Sequence, residues 1–243
     1  GLVLDDEKFL KQSRSVRGLI RKLGNFHKAL LENDKFKTSI FDIGMRQSEI
    51  ILSAIDHVLS KCSLTPDQLD YMAVTQGPGS FTGLRLAYSA LKAIECAFNI
   101  PIYGVSSLLI HSYPYMDSDY YILSCIDANK DRFYAHIIKN NKEILCDGDY
   151  TLEELKEKIK DLDKLLICGP DRVKLYSLLK DDFSGKEIRY PKFNTVTSET
   201  LAFLAEEKIK NKEAPLEDYQ GPVYLRASEA EIVLKQKEAE NNQ

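Results

Sequence analysis

Apolar residues recur at helical spacing in two long stretches, and short β-branched runs bounded by turn residues fill much of the rest. Ile50, Ile51, Ala54, Ile55, Val58 and Leu59 share one face of a helix predicted over Met45–Cys62, with Glu49, Asp56 and Lys61 elsewhere on it. That face is wide enough to meet both a sheet and a second surface. Leu84, Ala87, Leu91, Ile94 and Phe98 continue a second helix from near Gly83 until Asn99 and Pro101 stop it. Tyr71–Thr75 before that helix and Ile100–Val105 after it are short, apolar and bounded by turn residues, so both are predicted buried strands. Strand, helix and strand in that order make a right-handed parallel crossover.

Upstream, Phe26–Glu32 and Phe36–Asp42 flank Asn33-Asp34 and predict a hairpin. Downstream, Ser106–Ser112 is a short helix, and Tyr120–Asp127, Arg132–Lys139 and Lys142–Cys146 are strands with turns at Asn129-Lys130 and Asn140-Asn141. Thr151 and Glu154 form a capping box at the head of a helix over Thr151–Leu162. A strand at Leu165–Cys168 is closed by Gly169-Pro170, and a helix at Val173–Leu179, a strand at Glu187–Tyr190 and a helix at Thr197–Lys210 follow. Strands with interleaved helices, twice over, predict an α/β chain of two lobes. The boundary is expected near Gly104, giving an N-terminal lobe over 26–104, a C-terminal lobe over 105–231 and a solvated tail over 232–243. Gly1–Asn25 fits least well: Arg14, Arg17, Arg21 and Lys22 interrupt its apolar residues, and a short helix or a disordered arm is expected there.

The densest chemistry lies between the first buried strand and its helix. Gln76–Gly83 packs Gly77, Pro78, Gly79 and Gly83 together with Ser80 and Thr82, either of which can cap the helix. Backbone amides at a helix start suit an anion, so two readings stay open: a structural turn, or an anion-binding turn of Gly77, Gly79, Ser80, Gly83 and Arg85. Known phosphate loops do not match. Gly83 is followed by Leu84 and Arg85 rather than Lys-Ser/Thr, the glycines miss dinucleotide spacing by one residue, and Pro78 stands where a nucleophile elbow needs glycine. Arg85 can clamp an anion or pair with a carboxylate across a cleft.

No catalytic residue and no metal site are expected. His57 is the lone histidine of the first long helix and has no His, Asp or Glu at the i+4 position. His27, His111 and His136 are scattered, as surface or satisfied core residues are. Asp127 and Arg132 are a turn former and a strand arginine, or else a polar site between lobes.

Composition narrows the classes further. The 243 residues are 44% hydrophobic and 29% charged, with no apolar run near the ~18 residues a membrane helix requires. A net charge of −4 argues against a dedicated nucleic-acid surface. Five dispersed cysteines are those of a reduced, cytoplasmic protein without disulfides.

The run VTQGPGSFTGLRLAYSALKAIECAFNIPIYGVSSL from Val74 to Leu108 closely resembles the TsaB family, also called YeaZ. The likeness extends to Gly44–Leu59, Leu64–Asp70, DANKDRFYA at Asp127–Ala135 and GPVYLRASEAE at Gly221–Glu231. It implies an actin-like ATPase fold (ASKHA, ribonuclease H-like) with two lobes. It also implies a non-catalytic scaffold for tRNA N6-threonylcarbamoyladenosine synthesis, which binds and activates TsaD and recruits TsaE. On that reading tRNA is met only through the complex, and ATP or ADP enters only at that level. The resemblance puts the partner face, for TsaD or a homodimer, on Ile51, Ile55, Val58, Leu84, Tyr88 and Leu91. The plainer reading has both helices covering their own sheet. Two different roles also fit the residues: a free-standing metallopeptidase- or sugar-kinase-like member of the same fold, and a homodimeric binding module. Catalytic members of the fold hold a metal with a histidine pair on the first long helix, where this chain has only His57 and places Gln47 in a common histidine position. Members also open with an apolar strand ending in Asp-Thr or Asp-Ser. In Gly1–Asn25 that start is replaced, so the hairpin at Phe26 is expected to lack its neighbour, through loss of a nucleotide site or through a shifted reading frame.

Overall fold

The structure, a computed structural model, describes residues 16–21, 26–32, 35–41, 47–193 and 197–226, with side chains from residue 48 onward. Two compact units emerge. Of the described residues, those up to Ile110 and those from Thr197 to Pro222 form the first, and those from His111 to Phe193 and from Val223 to Arg226 form the second. The expected single cut near Gly104 is thus replaced by three crossings. The chain returns to its first unit late, because the back of the first sheet needs a cover that comes from residues after 196.

In the first unit the strands β1 (Val16–Arg21), β2 (Phe26–Glu32), β3 (Lys35–Phe41), β4 (Met72–Gly77) and β5 (Ile102–Ser106) lie in the order β3-β2-β1-β4-β5. The hairpin of β2 and β3 is antiparallel, with Phe26 opposite Phe41 and Glu32 opposite Lys35. β1 corrects the expectation of a helix or disordered arm in this segment. It pairs antiparallel with β2 and parallel with β4, so β2 does have the neighbour that it is expected to lack. Leu19, Ile20 and Arg21 are engaged on both sides, while the register shifts between Arg17 and Leu19, a place for the bulge that Gly18 accommodates. Two-sided backbone pairing, not an unbroken apolar run, makes this strand. Residues 1–15 and 22–25 of the segment, and the tail over 232–243, lie outside the described residues.

Helices α1 (Gln47–Lys61) and α2 (Phe81–Phe98) pack on one face of this sheet and on each other. Their apolar stripes meet Met72 and Val74 of β4 in one core cluster, joined by Ile100, Ile102 and Leu216. Alternation along β4 sends Ala73 and Thr75 to the opposite face, where both are also buried. The cover there is α6 (Thr197–Lys210), which lies along all five strands. After α6 the chain doubles back to close the β5 edge: Leu216 is buried in the α1–α2 core, its N–H donates to Ile102 O at 2.7 Å, and Lys92 Nζ donates to Glu217 O at 2.7 Å.

A short helix α3 (Ser107–Ser112) leads into the second unit. Its strands β6 (Tyr121–Asp127), β7 (Arg132–Lys139), β8 (Lys142–Thr151), β9 (Lys164–Cys168) and β10 (Glu187–Arg189) lie in the order β10-β9-β6-β7-β8. Taken in reverse this matches the first sheet strand for strand, including two antiparallel pairings followed by two parallel ones. α4 (Leu152–Ile159) and α5 (Arg172–Leu179) supply Leu155, Ile159, Leu175 and Leu179 to a core with Leu123, Phe133, Ile137 and Ile167. The predicted capping box is present: Glu154 N donates to Thr151 Oγ1, and Thr151 N donates to Glu154 Oε2. β8 runs five residues beyond its predicted end at Cys146, because a shift of register lets Gly148, Asp149, Tyr150 and Thr151 stay paired with β7.

Candidate functional site

β4 ends at Gly77, whose φ of 112° a side chain would strain, and the chain then turns through Pro78 and Gly79 into α2. Ser80 makes the cap: Gly83 N donates to its Oγ at 3.3 Å and Leu84 N donates to its carbonyl at 2.9 Å. Gly77 and Gly83 are buried, Gly79 is half-buried, and Ser80 is exposed. Arg85 is exposed and its guanidinium lies 4.1 Å from the centroid of the Phe81 ring. One helix amide is therefore already satisfied from within the turn, and the arginine is laid along α2 against an aromatic face.

The predicted partner residues require a correction. Ile51, Ile55, Val58, Leu84, Tyr88 and Leu91 are all 5% exposed or less, and all but Leu84 belong to the α1–α2 core cluster. Periodicity identifies the right face of each helix but not its direction: those faces cover their own sheet, as the plainer reading has it. The outward residues are others. α1 turns Glu49, Leu52, Ser53, Asp56 and His57 to solvent, with Leu52 at 60% exposure. α2 exposes Phe81, Thr82, Arg85, Ser89, Ala93, Cys96 and Ala97, a strip of mostly small side chains at helical spacing. A strip of that kind lets a second helix come close.

His57 is one of those exposed residues, and among the described residues no group of three or more His, Cys, Asp or Glu converges as a metal site would. His136, by contrast, is a buried residue that the sequence does not connect to anything. Its Nδ1 is 2.9 Å from Asp147 Oδ1 and its Nε2 is 2.8 Å from Ser112 Oγ. The order serine, histidine, aspartate is that of a hydrolase triad, but Ser112 is 0% exposed and His136 2%, so the hydroxyl cannot meet a substrate. The arrangement satisfies a core histidine, and its aim comes from the irregular register of β7 and β8 around Ile137. Positions 112, 136 and 147 share no motif, and no sequence signal links them.

Asp127 and Arg132 are tied within the second unit. Asp127 N donates to Asp171 Oδ2 at 2.8 Å, and Lys174 Nζ donates to Asp127 Oδ2 at 2.6 Å. Partial burial pushes the Asp127 carboxyl up, but the bonds from Lys174 and the Asn129 amide outweigh it and hold the group below its ordinary range. Asp149 behaves alike: burial raises it, and the guanidinium groups of Arg226 and Arg132 bring it down further than burial lifts it. Cys125 and Cys168 are free, buried thiols, and burial pushes Cys168 up to about 12, so neither is a nucleophile at neutral pH.

Two sheets with one strand order, each three antiparallel strands followed by two reached through helical crossovers, define the duplicated ribonuclease H-like architecture of the actin-like ATPase class. The solved structure titled as an uncharacterized protein with similarity to peptidase YEAZ from Pseudomonas aeruginosa shares this fold, with a TM-score of 0.69 at 20% identity over 87% of this chain and 100% of that one. The family model described as TsaD, tRNA N6-adenosine threonylcarbamoyltransferase, matches residues 44–213. The tRNA threonylcarbamoyladenosine biosynthesis protein TsaB of Bacillus subtilis (strain 168) is 31% identical over 189 residues, 74% of this chain and 80% of that protein. The protein of the same name from Buchnera aphidicola subsp. Schizaphis graminum (strain Sg) is 29% identical over 172 residues, 66% of this chain and 78% of its own length. The chain belongs to the TsaB family.

Proposed function

We propose that this chain is a non-catalytic subunit of the apparatus that makes threonylcarbamoyladenosine in tRNA. The observation that carries the reading is the kinship with proteins named for that biosynthesis along three quarters of the chain. In this reading the exposed sides of α1 and α2 dock on TsaD, with Leu52 and Phe81 as apolar anchors and Ser89, Ala93 and Ala97 as the close-approach strip. The docked pair then recruits TsaE, nucleotide is handled by the assembly, and tRNA is held by partners, in keeping with the net charge of −4. The same strip on a second copy gives a homodimer when TsaD is absent.

The test is titration of the chain with purified TsaD, using Leu52→Glu and Ala93→Arg, both at exposed positions, with folding of each variant checked by circular dichroism. Each substitution is expected to weaken binding by about 2 kcal/mol, roughly thirtyfold in Kd. TsaE is expected to co-migrate only with the pair, and the chain alone to show no transferase turnover. Wild-type affinity in both variants sinks the docking surface, and turnover by the chain alone sinks the non-catalytic role.

A further inference from the structure

Asn129, Lys130 and Asp131, in the turn between β6 and β7, all adopt left-handed backbone conformations, with φ of 59°, 54° and 54°. None is glycine. Asparagine and aspartate tolerate that region singly, but the lysine between them crowds its Cβ against the following carbonyl, and successive residues add to the strain. Such a run persists only where the surroundings over-determine it.

The surroundings here are specific. The residue before the run, Ala128, accepts Arg226 Nη1 on its carbonyl at 3.1 Å. The residue after it, Arg132, donates from Nε to Asp149 Oδ1 at 2.9 Å and from Nη2 to Asp149 O at 2.8 Å. Asp149 closes the circuit by taking Arg226 Nε on Oδ2 at 2.7 Å and Arg226 Nη2 on Oδ1 at 3.0 Å. Both ends of the strained run are therefore fastened to one carboxylate and one guanidinium, and the Arg226 fork is bidentate. Its middle is held by Leu152 N, which donates to Asp131 O at 3.1 Å, and by Arg132 N, which donates to Asn129 O at 3.2 Å. Arg226 itself sits on a segment without regular structure whose preceding side chains Val223 and Tyr224 stand 46% and 41% exposed.

We propose that the strap Val223–Arg226 and the left-handed turn are one two-state clasp. With Arg226 seated on Asp149 and Ala128, the turn is kept in its strained form. When the strap lifts, the turn loses its fastening at Ala128 and relaxes to an ordinary hairpin connection. Whatever takes hold of the strap thereby reshapes the surface at Asn129–Asp131, at the far end of a sequence separation of almost a hundred residues. Strain is the coupling agent, so removing it must uncouple the two.

Amide hydrogen exchange on the full chain tests this. Arg226→Ala is expected to speed exchange at the Arg132 and Leu152 amides by about tenfold or more, with Leu123 in the β6 core unchanged. Replacing Lys130 and Asp131 together by glycine, which removes the strain, is expected to cut that acceleration to less than about threefold, whereas replacing both by alanine is not. The alanine pair controls for lost side-chain contacts. Equal acceleration in the glycine and alanine backgrounds overturns the coupling, as does an Arg226→Ala protein with no acceleration. Should Arg226→Ala lose protection at Leu123 as well, Arg226→Lys, which keeps the charge but not the fork, is read in the same way. Global loss of protection in both Arg226 variants also overturns the proposal, since Arg226 would then be a core support and not a clasp.

Discussion

The chain makes the same turn twice. After β4 it passes through Gly77-Pro78-Gly79-Ser80 into α2, and after β9, at the matching place in the second sheet, through Gly169-Pro170-Asp171 into α5. Both glycines have positive φ, 112° and 98°. Beyond them the turns diverge. In the first unit a serine caps an 18-residue helix whose Phe81 and Arg85 face outward. In the second unit Asp171 leaves its 8-residue helix without a side-chain cap, and Arg172, 7% exposed, turns inward to the carbonyls of Gly169, Pro191 and Lys192. The Gly-Pro step thus belongs to the architecture, recurring wherever this strand must hand over to this helix. What is particular to the first unit is the outward aromatic and arginine pair.

Four substitutions press on that comparison. Gly169→Ala is expected to cost the most, about 3 kcal/mol or more, because a Cβ there comes within 2.3 Å of Cys125 O in addition to the unfavourable φ. Gly77→Ala, with the φ strain alone considered, is expected to cost about 1–3 kcal/mol in the same urea titration. A Gly77→Ala protein of unchanged midpoint would end the equivalence of the two turns. Next, Ser80→Ala removes the bond to Gly83 N and should lower stability by about 1 kcal/mol, a loss with no counterpart at Asp171, which caps nothing on its own helix. The smallest effect is expected of Arg85→Ala, about 0.5 kcal/mol in stability, because its stack on Phe81 is exposed. A much larger loss of TsaD affinity than of stability in that variant would mark the arginine as a binding group.

Much of this is legible in the chain itself, for reasons that can be named. Local rules suffice where local chemistry decides: the Thr151–Glu154 box, the Asn140-Asn141 turn with both residues at positive φ, and the apolar spacing of α1 and α2 all survive in three dimensions. The direction of an apolar face is not legible, since period alone cannot say whether Ile51 or Leu91 meets its own sheet or another protein. β1 is hidden because Arg17 and Arg21 break the apolar run that a central strand usually shows, and only pairing with β2 and β4 reveals it. Ser112, His136 and Asp147, like Arg226 and Asp149, are brought together by topology across long stretches of chain, and no spacing rule reaches that far. The return of α6 to the first sheet escapes local rules for the same reason.

That return sets an order on vectorial synthesis. Among the described residues, the most C-terminal members of the second unit's apolar core are Ile188 and Tyr190, so that core can close once Tyr190 has left the ribosome. The first unit, although translated earlier, must wait for α6 to cover the back of its sheet and for Leu216 to seal the β5 edge. Until then Ala73 and Thr75 lack their cover and β5 presents an open row of amides, the kind of surface on which nascent chains aggregate. The sheet whose strands are made first thus closes its core after the second unit's, and stays open in the interval between.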